Sequence, residues 1–143
     1  MQTLGWREWG SLPELGIDAL KMKVDTGART SCLHAFKLEP FEQNGEAWLR
    51  IWLHPEQHSD RELMIESKIY DQREVTDSGG HTELRYVIRS TLRLGEFNRP
   101  IELTLTNRDT MKFRMLLGRQ AMRGHFLVDP DKSYLLGQPG ATA

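Results

Sequence analysis

The sequence predicts an all-β fold, a barrel or sandwich built from short strands, and three observations predict it. Where the chain is most regular, apolar and polar residues alternate with period two: from Ala19 to Asp25, Leu20, Met22 and Val24 interleave with Lys21, Lys23 and Asp25. Turn signals recur at short intervals, at Gln43-Asn44-Gly45, Asp77-Ser78-Gly79-Gly80 and Gly95-Glu96-Phe97-Asn98. Only Arg119 to Arg123 reads as a helix, and a short one, which argues against a βαβ arrangement.

Taken in order, Ala19 to Asp25 is a half-buried strand that delivers a carboxylate at its end. Cys32 to Phe41 and Ala47 to His54 follow as strands on either side of the Asn44-Gly45 turn. Glu62 to Val75 and His81 to Leu94 read as one long hairpin with a glycine tip. Ile101 to Thr106 repeats the alternation, with Ile101, Leu103 and Leu105 set against Glu102, Thr104 and Thr106. Asn107-Arg108-Asp109 reads as a turn. Phe126-Leu127-Val128 and Tyr134-Leu135-Leu136 finish the chain as short strands.

A length of 143 residues favours one domain over the whole chain, 1–143, with its core in 5–137 and a flexible tail at 138–143. Lys and Arg number 19 against 20 Asp and Glu, so no global basic field exists to hold nucleic acid or an anionic membrane. Cys32 is the one cysteine, which rules out an intrachain disulfide and fits a reducing compartment. The first twenty residues carry Arg7, Glu8, Glu14 and Asp18 and lack a secretory apolar run, and no stretch reaches membrane-spanning length. A cytoplasmic protein is expected.

Chemistry is concentrated in the stretch KVDTGARTS, Lys23 to Ser31. A three-residue D-T-G word arises by chance in roughly a few per cent of chains this long, so its weight comes from context. Downstream, Met115-Leu116-Leu117-Gly118-Arg119 pairs an apolar strand with a glycine and a short helix, and the glycine-tipped hairpin lies between the two. The residues after Asp25 are small, Thr26, Gly27 and Ala28.

These blocks, KVDTGARTSCLHA, TDSGGHTELR, LTNRDTMKFRMLLGR and FLVDPDKSYLLG, resemble the retropepsin-like aspartic peptidases. The closer match is to a bacterial branch that has carried the label ATP-dependent zinc protease and is associated with RimK-type glutamate ligases. The resemblance runs from Trp6 to Gly137. It implies a retropepsin-like closed barrel with a flap hairpin and one short C-terminal helix. It also implies that Thr26 hydrogen-bonds across a dimer interface, that the Gly27 amide helps hold the carboxylates near one plane, and that Arg119 braces the dimer through ion pairs.

Hydrolysing a peptide with carboxyl groups alone needs one ionised group to take a proton from water and one protonated group to hydrogen-bond the carbonyl oxygen. Two aspartates about 3 Å apart supply that difference, because they cannot both ionise and so share a proton. Asp77, Asp109 and Asp129 lack the D-T-G setting, so the second carboxylate is expected from a second copy, with Asp25 facing Asp25 across a two-fold axis. Ala28 has no hydroxyl to favour the anion, so activity is expected nearer neutral than strongly acidic pH.

Asp25, Thr26 and Gly27 are therefore the candidate catalytic residues. Lys23, Ala28, Arg29 and Arg85 are candidate substrate contacts, and Gly79 and Gly80 belong to the flap. Basic residues around the dyad select acidic substrates by local complementarity, and the family's link to glutamate ligases points to glutamate-rich peptides. No cofactor is expected. His54-Pro55-Glu56-Gln57-His58 misplaces the glutamate for H-E-x-x-H, His34 reads as a structural histidine, and no phosphate-binding loop occurs. Trp6, Trp9, Trp48 and Trp52 read as packing residues, Trp48 and Trp52 sharing strand parity. The rival to the peptidase is a non-catalytic dimer that binds acidic peptides in the same cleft; a metallopeptidase is a third reading.

Overall fold

In the computed structural model, which describes residues 1–56, 59–76, 79–107 and 112–139, strands form where the alternation is cleanest. In chain order they are β1 (Gln2–Leu4), β2 (Arg7–Leu12), β3 (Ile17–Asp25), β4 (Ser31–His34), β5 (Lys37–Gln43), β6 (Glu46–Leu53), β7 (Leu63–Lys68), β8 (Asp71–Thr76), β9 (Thr82–Leu94), β10 (Phe97–Thr106), β11 (Met115–Gly118) and β12 (Phe126–Val128). A 3-10 turn, Pro13–Leu15, joins β2 to β3, and α1 (Arg119–Met122), the one α-helix among the described residues, follows β11 directly. The class is all-β.

Seven strands form the main sheet in the order β10-β4-β11-β3-β2-β9-β8, and β9 pairs with β10 as well. A second sheet has the order β5-β6-β7, and β1 pairs with β12 in parallel. Leu20, Met22 and Val24 of β3, Leu33 of β4, Ile88 and Leu92 of β9, Leu103 and Leu105 of β10, and Met115 and Leu117 of β11 are buried in one cluster. Leu49, Ile51 and Leu53 of β6 enter the same cluster, so the small sheet packs its inner face on the core of the large one.

Two expected strands are each split by a corner. Cys32 to Phe41 breaks into β4 and β5 because Ala35 N–H donates to Thr106 O of β10, 2.8 Å, while Phe36 N–H donates to Trp52 O of β6, 2.9 Å. Glu62 to Val75 breaks into β7 and β8 by the same device in reverse. Ile69 N–H donates to Ala47 O, 3.0 Å, and Tyr70 N–H to Val87 O, 2.8 Å. Consecutive amides thus serve different sheets, and the chain changes sheet without leaving a donor unpaired. The hairpin arm opposite β9 is therefore β8 alone.

The ends also differ from expectation. Tyr134 to Leu136 is not a strand: Tyr134 has φ 54°, and the Leu135 and Leu136 amides donate to the carboxylate of Glu8, at 3.0 and 3.2 Å, instead of to a neighbouring strand. Glu8 also accepts the Gly5 amide, 2.7 Å, and is fully buried. Strands β1 and β2 are additional to those expected. Phe97 and Asn98 belong to β10, leaving Gly95-Glu96 as the turn, with Gly95 at φ 60°. The Arg108-Asp109 turn, the Asp77-Ser78 tip and the tail from 140 onward lie outside the described residues. Among the described residues no helix is long and apolar enough to cross a membrane.

Candidate active site

Asp25 is the last residue of β3, and its position is set by the strand beside it. In the parallel pairing of β11 with β3, Gly118 stands opposite Asp25. On its other side β11 runs antiparallel to β4, with Leu116 opposite Cys32. A side chain at 118 has no room: a Cβ there would lie 2.6 Å from the Thr30 carbonyl carbon and 2.8 Å from Ser31 N. That closeness lets the Gly118 amide donate to Ser31 Oγ at 2.9 Å.

The turn after Asp25 is stitched from the helix side. Arg119 N–H donates to Ala28 O, 2.9 Å, and Gln120 N–H to Arg29 O, 3.0 Å. The Arg119 guanidinium donates through Nη1 to Gly27 O, 3.2 Å, and to Thr26 O, 3.4 Å. Within this chain Arg119 thus fastens the turn through its carbonyls. Gly27 N–H donates to Asp25 Oδ1 at 3.0 Å, fixing the carboxylate's rotation. Asp25 is half-buried, while Thr26 and Gly27 are exposed.

A cavity of about 710 Å³ opens in front of Asp25, with Gly27, Ala28, Arg29 and Arg85 among its lining residues. Lys23 is exposed on β3 and is not among them. Gly79 and Gly80 lie at the outer end of the β8–β9 hairpin, also outside the lining, Gly80 with φ 82°. Besides Arg85 of β9, the hairpin contributes Glu74, Val75 and Thr76 of β8 to the wall, ending at the closing Thr76–Thr82 pair. Thr30, Cys32, Thr104, Leu116 and Arg119 complete the lining. Glu74 and Thr76 carry neither the basic charge nor the glycine that marks the other candidates in the sequence. The signal for them was hairpin register.

Arg85 is the most constrained of the three arginines. Its side chain is 10% exposed, Nε donates to Glu83 Oε1 at 2.5 Å, and Nη1 donates to Cys32 Sγ at 3.5 Å. Glu83 Oε1 also accepts from Thr106 Oγ1, 2.9 Å. A guanidinium braced in this way offers its remaining donors to an anion at little entropic cost. Burial pushes the Cys32 thiol above its ordinary range, so at neutral pH it is a neutral thiol and a poor nucleophile.

The histidines singled out in the sequence lie elsewhere. His54 stacks on Phe36 at 4.5 Å with Nδ1 3.2 Å from Arg61 O, His34 is buried, and His58 lies outside the described residues. Among the described residues, no group of three or more His, Cys, Asp or Glu side chains is placed to hold a metal ion.

Known proteins resemble this chain in sequence or in fold. A Shewanella pealeana protein named "Probable alpha-L-glutamate ligase" is 49% identical over 138 residues, covering 96% of this chain and 30% of its own length. A protein of the same name from Parasynechococcus marenigrum is 54% identical over 136 residues, covering 94% of this chain and 29% of its own. This chain therefore spans about 30% of the length of those relatives. A solved structure from Legionella pneumophila, of a protein described as of unknown function, superposes with a TM-score of 0.78 at 26% identity, covering 94% of this chain and 98% of that one. A family model described as retropepsin-like aspartic endopeptidase RimB matches residues 3–139. The chain belongs to the RimB-like family of retropepsin-like aspartic endopeptidases.

Proposed function

We propose that this chain is an aspartic peptidase that works as a homodimer, two Asp25 carboxyl groups sharing one proton across the two-fold axis. One takes a proton from water as the other hydrogen-bonds the scissile carbonyl, and the tetrahedral intermediate collapses as the shared proton passes to the leaving amine. The observation that carries the reading is the half-buried Asp25, held by Gly27 N–H on a turn stitched from behind but exposed in front, where a second copy would complete it. Thr26 would make the cross-dimer contact, the β8–β9 hairpin would close as a flap, and the pairings through β9 would close a retropepsin-like barrel within a single domain. A cytoplasmic setting belongs to the same reading, supported by the lone buried Cys32.

The substrate is a peptide or protein rich in acidic residues, glutamate above all. Arg29, Arg85 and Arg119 face Asp25 and Glu74 in the cavity, three guanidinium groups against two carboxylates. The names of the relatives support glutamate as the acidic residue, since those proteins carry this region in one polypeptide with a much longer remainder.

Those names also favour a second reading, a non-catalytic dimer that binds acidic peptides. Asp25→Asn separates the two. The peptidase reading expects cleavage of an oligoglutamate peptide to fall by roughly 10²–10⁴-fold or more, with dimer mass and peptide binding retained. Wild-type protein that binds the peptide without cutting it would establish the second reading, and an active, strictly monomeric preparation would end the first.

A further inference from the structure

A second cavity of about 410 Å³ lies between the start of β10 and α1 and shares no lining residue with the Asp25 cavity. Its cationic wall is Arg99 and Arg123, and Gln120, Ser31, Ile101 and Ala121 contribute most of the rest. Arg99 has the strand parity of Ile101, Leu103 and Leu105, which turns a charged side chain toward the core side of β10. Its Nη1 is shielded from solvent and has no hydrogen-bond acceptor among the described residues. A shielded guanidinium donor without an acceptor costs free energy unless a ligand supplies one.

The neighbouring carboxylate does not supply it. Glu102 is on the cavity wall, but both its oxygens are taken by the Arg73 fork, Oε1 from Nη2 and Oε2 from Nη1, each at 2.9 Å. Arg123, exposed on the helix side, has no ion pair among the described residues. Arg99, half-buried, and Arg123, exposed, thus line one cavity whose floor, Ile101 and Ala121, is apolar and buried.

We propose that this cavity is a second anion site, taking a glutamate-like side chain: a planar carboxylate on the Arg99 and Arg123 forks, its methylenes on Ile101 and Ala121. The guanidinium forks match a carboxylate, and the apolar floor matches the methylenes, which inorganic phosphate lacks. The site adjoins the active turn, since Gln120 takes the Thr30 hydroxyl at 3.5 Å through Oε1 and donates its amide to Arg29 O. The inference does not require that the protein cleave anything.

Glutarate, which has no peptide bond to hydrolyse, is the probe. In an NMR titration of the full chain, glutarate is expected to shift the Ile101 and Ala121 signals. Arg99→Gln and Arg123→Gln should each weaken that binding roughly tenfold, while Arg85→Gln leaves it unchanged. Arg123 is exposed, so its variant reports even if Arg99→Gln folds poorly. Shifts confined to residues around Asp25, glutarate binding indifferent to Arg123→Gln, or phosphate binding as tightly as glutarate would each overturn the proposal.

Discussion

Around Asp25 the chain is held by its backbone, whereas on the outer face of β5, β6 and β7 it is held by side chains in water. At the turn, amides of Gly27, Gly118, Arg119 and Gln120 all find partners within the 26–31 segment or its flank, and Gly118 approaches too closely to carry a Cβ. On the small sheet, Arg50 lies between Glu39 and Glu66, at 3.0 and 2.9 Å, and over the Phe41 ring, while Lys37 sits over Trp52. The two regions share a core but differ in what a substitution disturbs. Backbone contacts at the turn leave no alternative geometry, while exposed side-chain pairs can be replaced by water.

Gly118→Ala should break the first region hardest. The added Cβ meets three backbone atoms, Thr30 C at 2.6 Å and Ser31 N and Thr30 O at 2.8 Å, none of which can rotate away. A loss of about 1–3 kcal/mol in urea unfolding is expected, with turnover reduced more than substrate binding because the displaced element is the turn that aims Asp25. A variant with wild-type stability and turnover would mean that the strand spacing at Gly118 relaxes freely.

A smaller effect is expected from Glu83→Gln, which leaves the turn alone and loosens Arg85. Without the charged partner, Arg85 loses its fixed direction, and KM for a glutamate-containing peptide should rise roughly tenfold while kcat moves less. Unchanged KM would show that Arg85 is aimed by Cys32 and packing instead.

Acid tests the link between β8, which lines the Asp25 cavity, and β10. Hydrogen bonds from Arg73 on β8 hold the Glu102 carboxyl of β10 below its ordinary value of 4.5. A carboxyl with a lowered folded-state value contributes stability that is complete above the ordinary value and is lost as pH falls through the lowered one. Wild type should therefore exceed Glu102→Gln in stability by a constant margin above about pH 5.5. The margin should shrink below the ordinary value, with β8 amides exchanging faster. The opposite trend would remove the ion pair from any role in anchoring β8. Turnover is a separate matter: with Ala28 offering no hydroxyl to Asp25, the rate profile should peak above about pH 4.

How much of this could be read from the sequence depended on whether local pattern or long-range pairing decided an element. Strand β3 and the Asp25 turn were legible because alternation and the D-T-G word are both local. The Gly118 side was legible from an apolar run ending in glycine and arginine. The corners at Ala35-Phe36 and Ile69-Tyr70 were not, because apolar patterning continues through them and only the destination of two successive amides changes. Strand β2 was hidden by a charge: Glu8 is fully buried where alternation calls for an apolar residue, and its partners come from the Gly5 amide and the distant Leu135 and Leu136 amides. In the site, the arginines were visible as charges, but Lys23 and Arg85 read alike. What separates them is that Arg85 has Glu83 two residues away on the same face of β9, while Lys23 emerges into solvent.

The mildest expected change is in the second region. Arg50→Met removes both ion pairs at the centre of the small sheet's outer face while keeping an apolar stem against Phe41. All three charged groups are more than a third exposed, so water takes over the carboxylates of Glu39 and Glu66 once the guanidinium is gone. The urea midpoint should stay near wild type and cleavage of the acidic peptide should be unaffected, and added salt should erase whatever difference remains. A large loss of stability would mean that the small sheet is fixed by its exposed face, and that the contrast with the Asp25 turn is one of degree, since both would then depend on a few irreplaceable contacts.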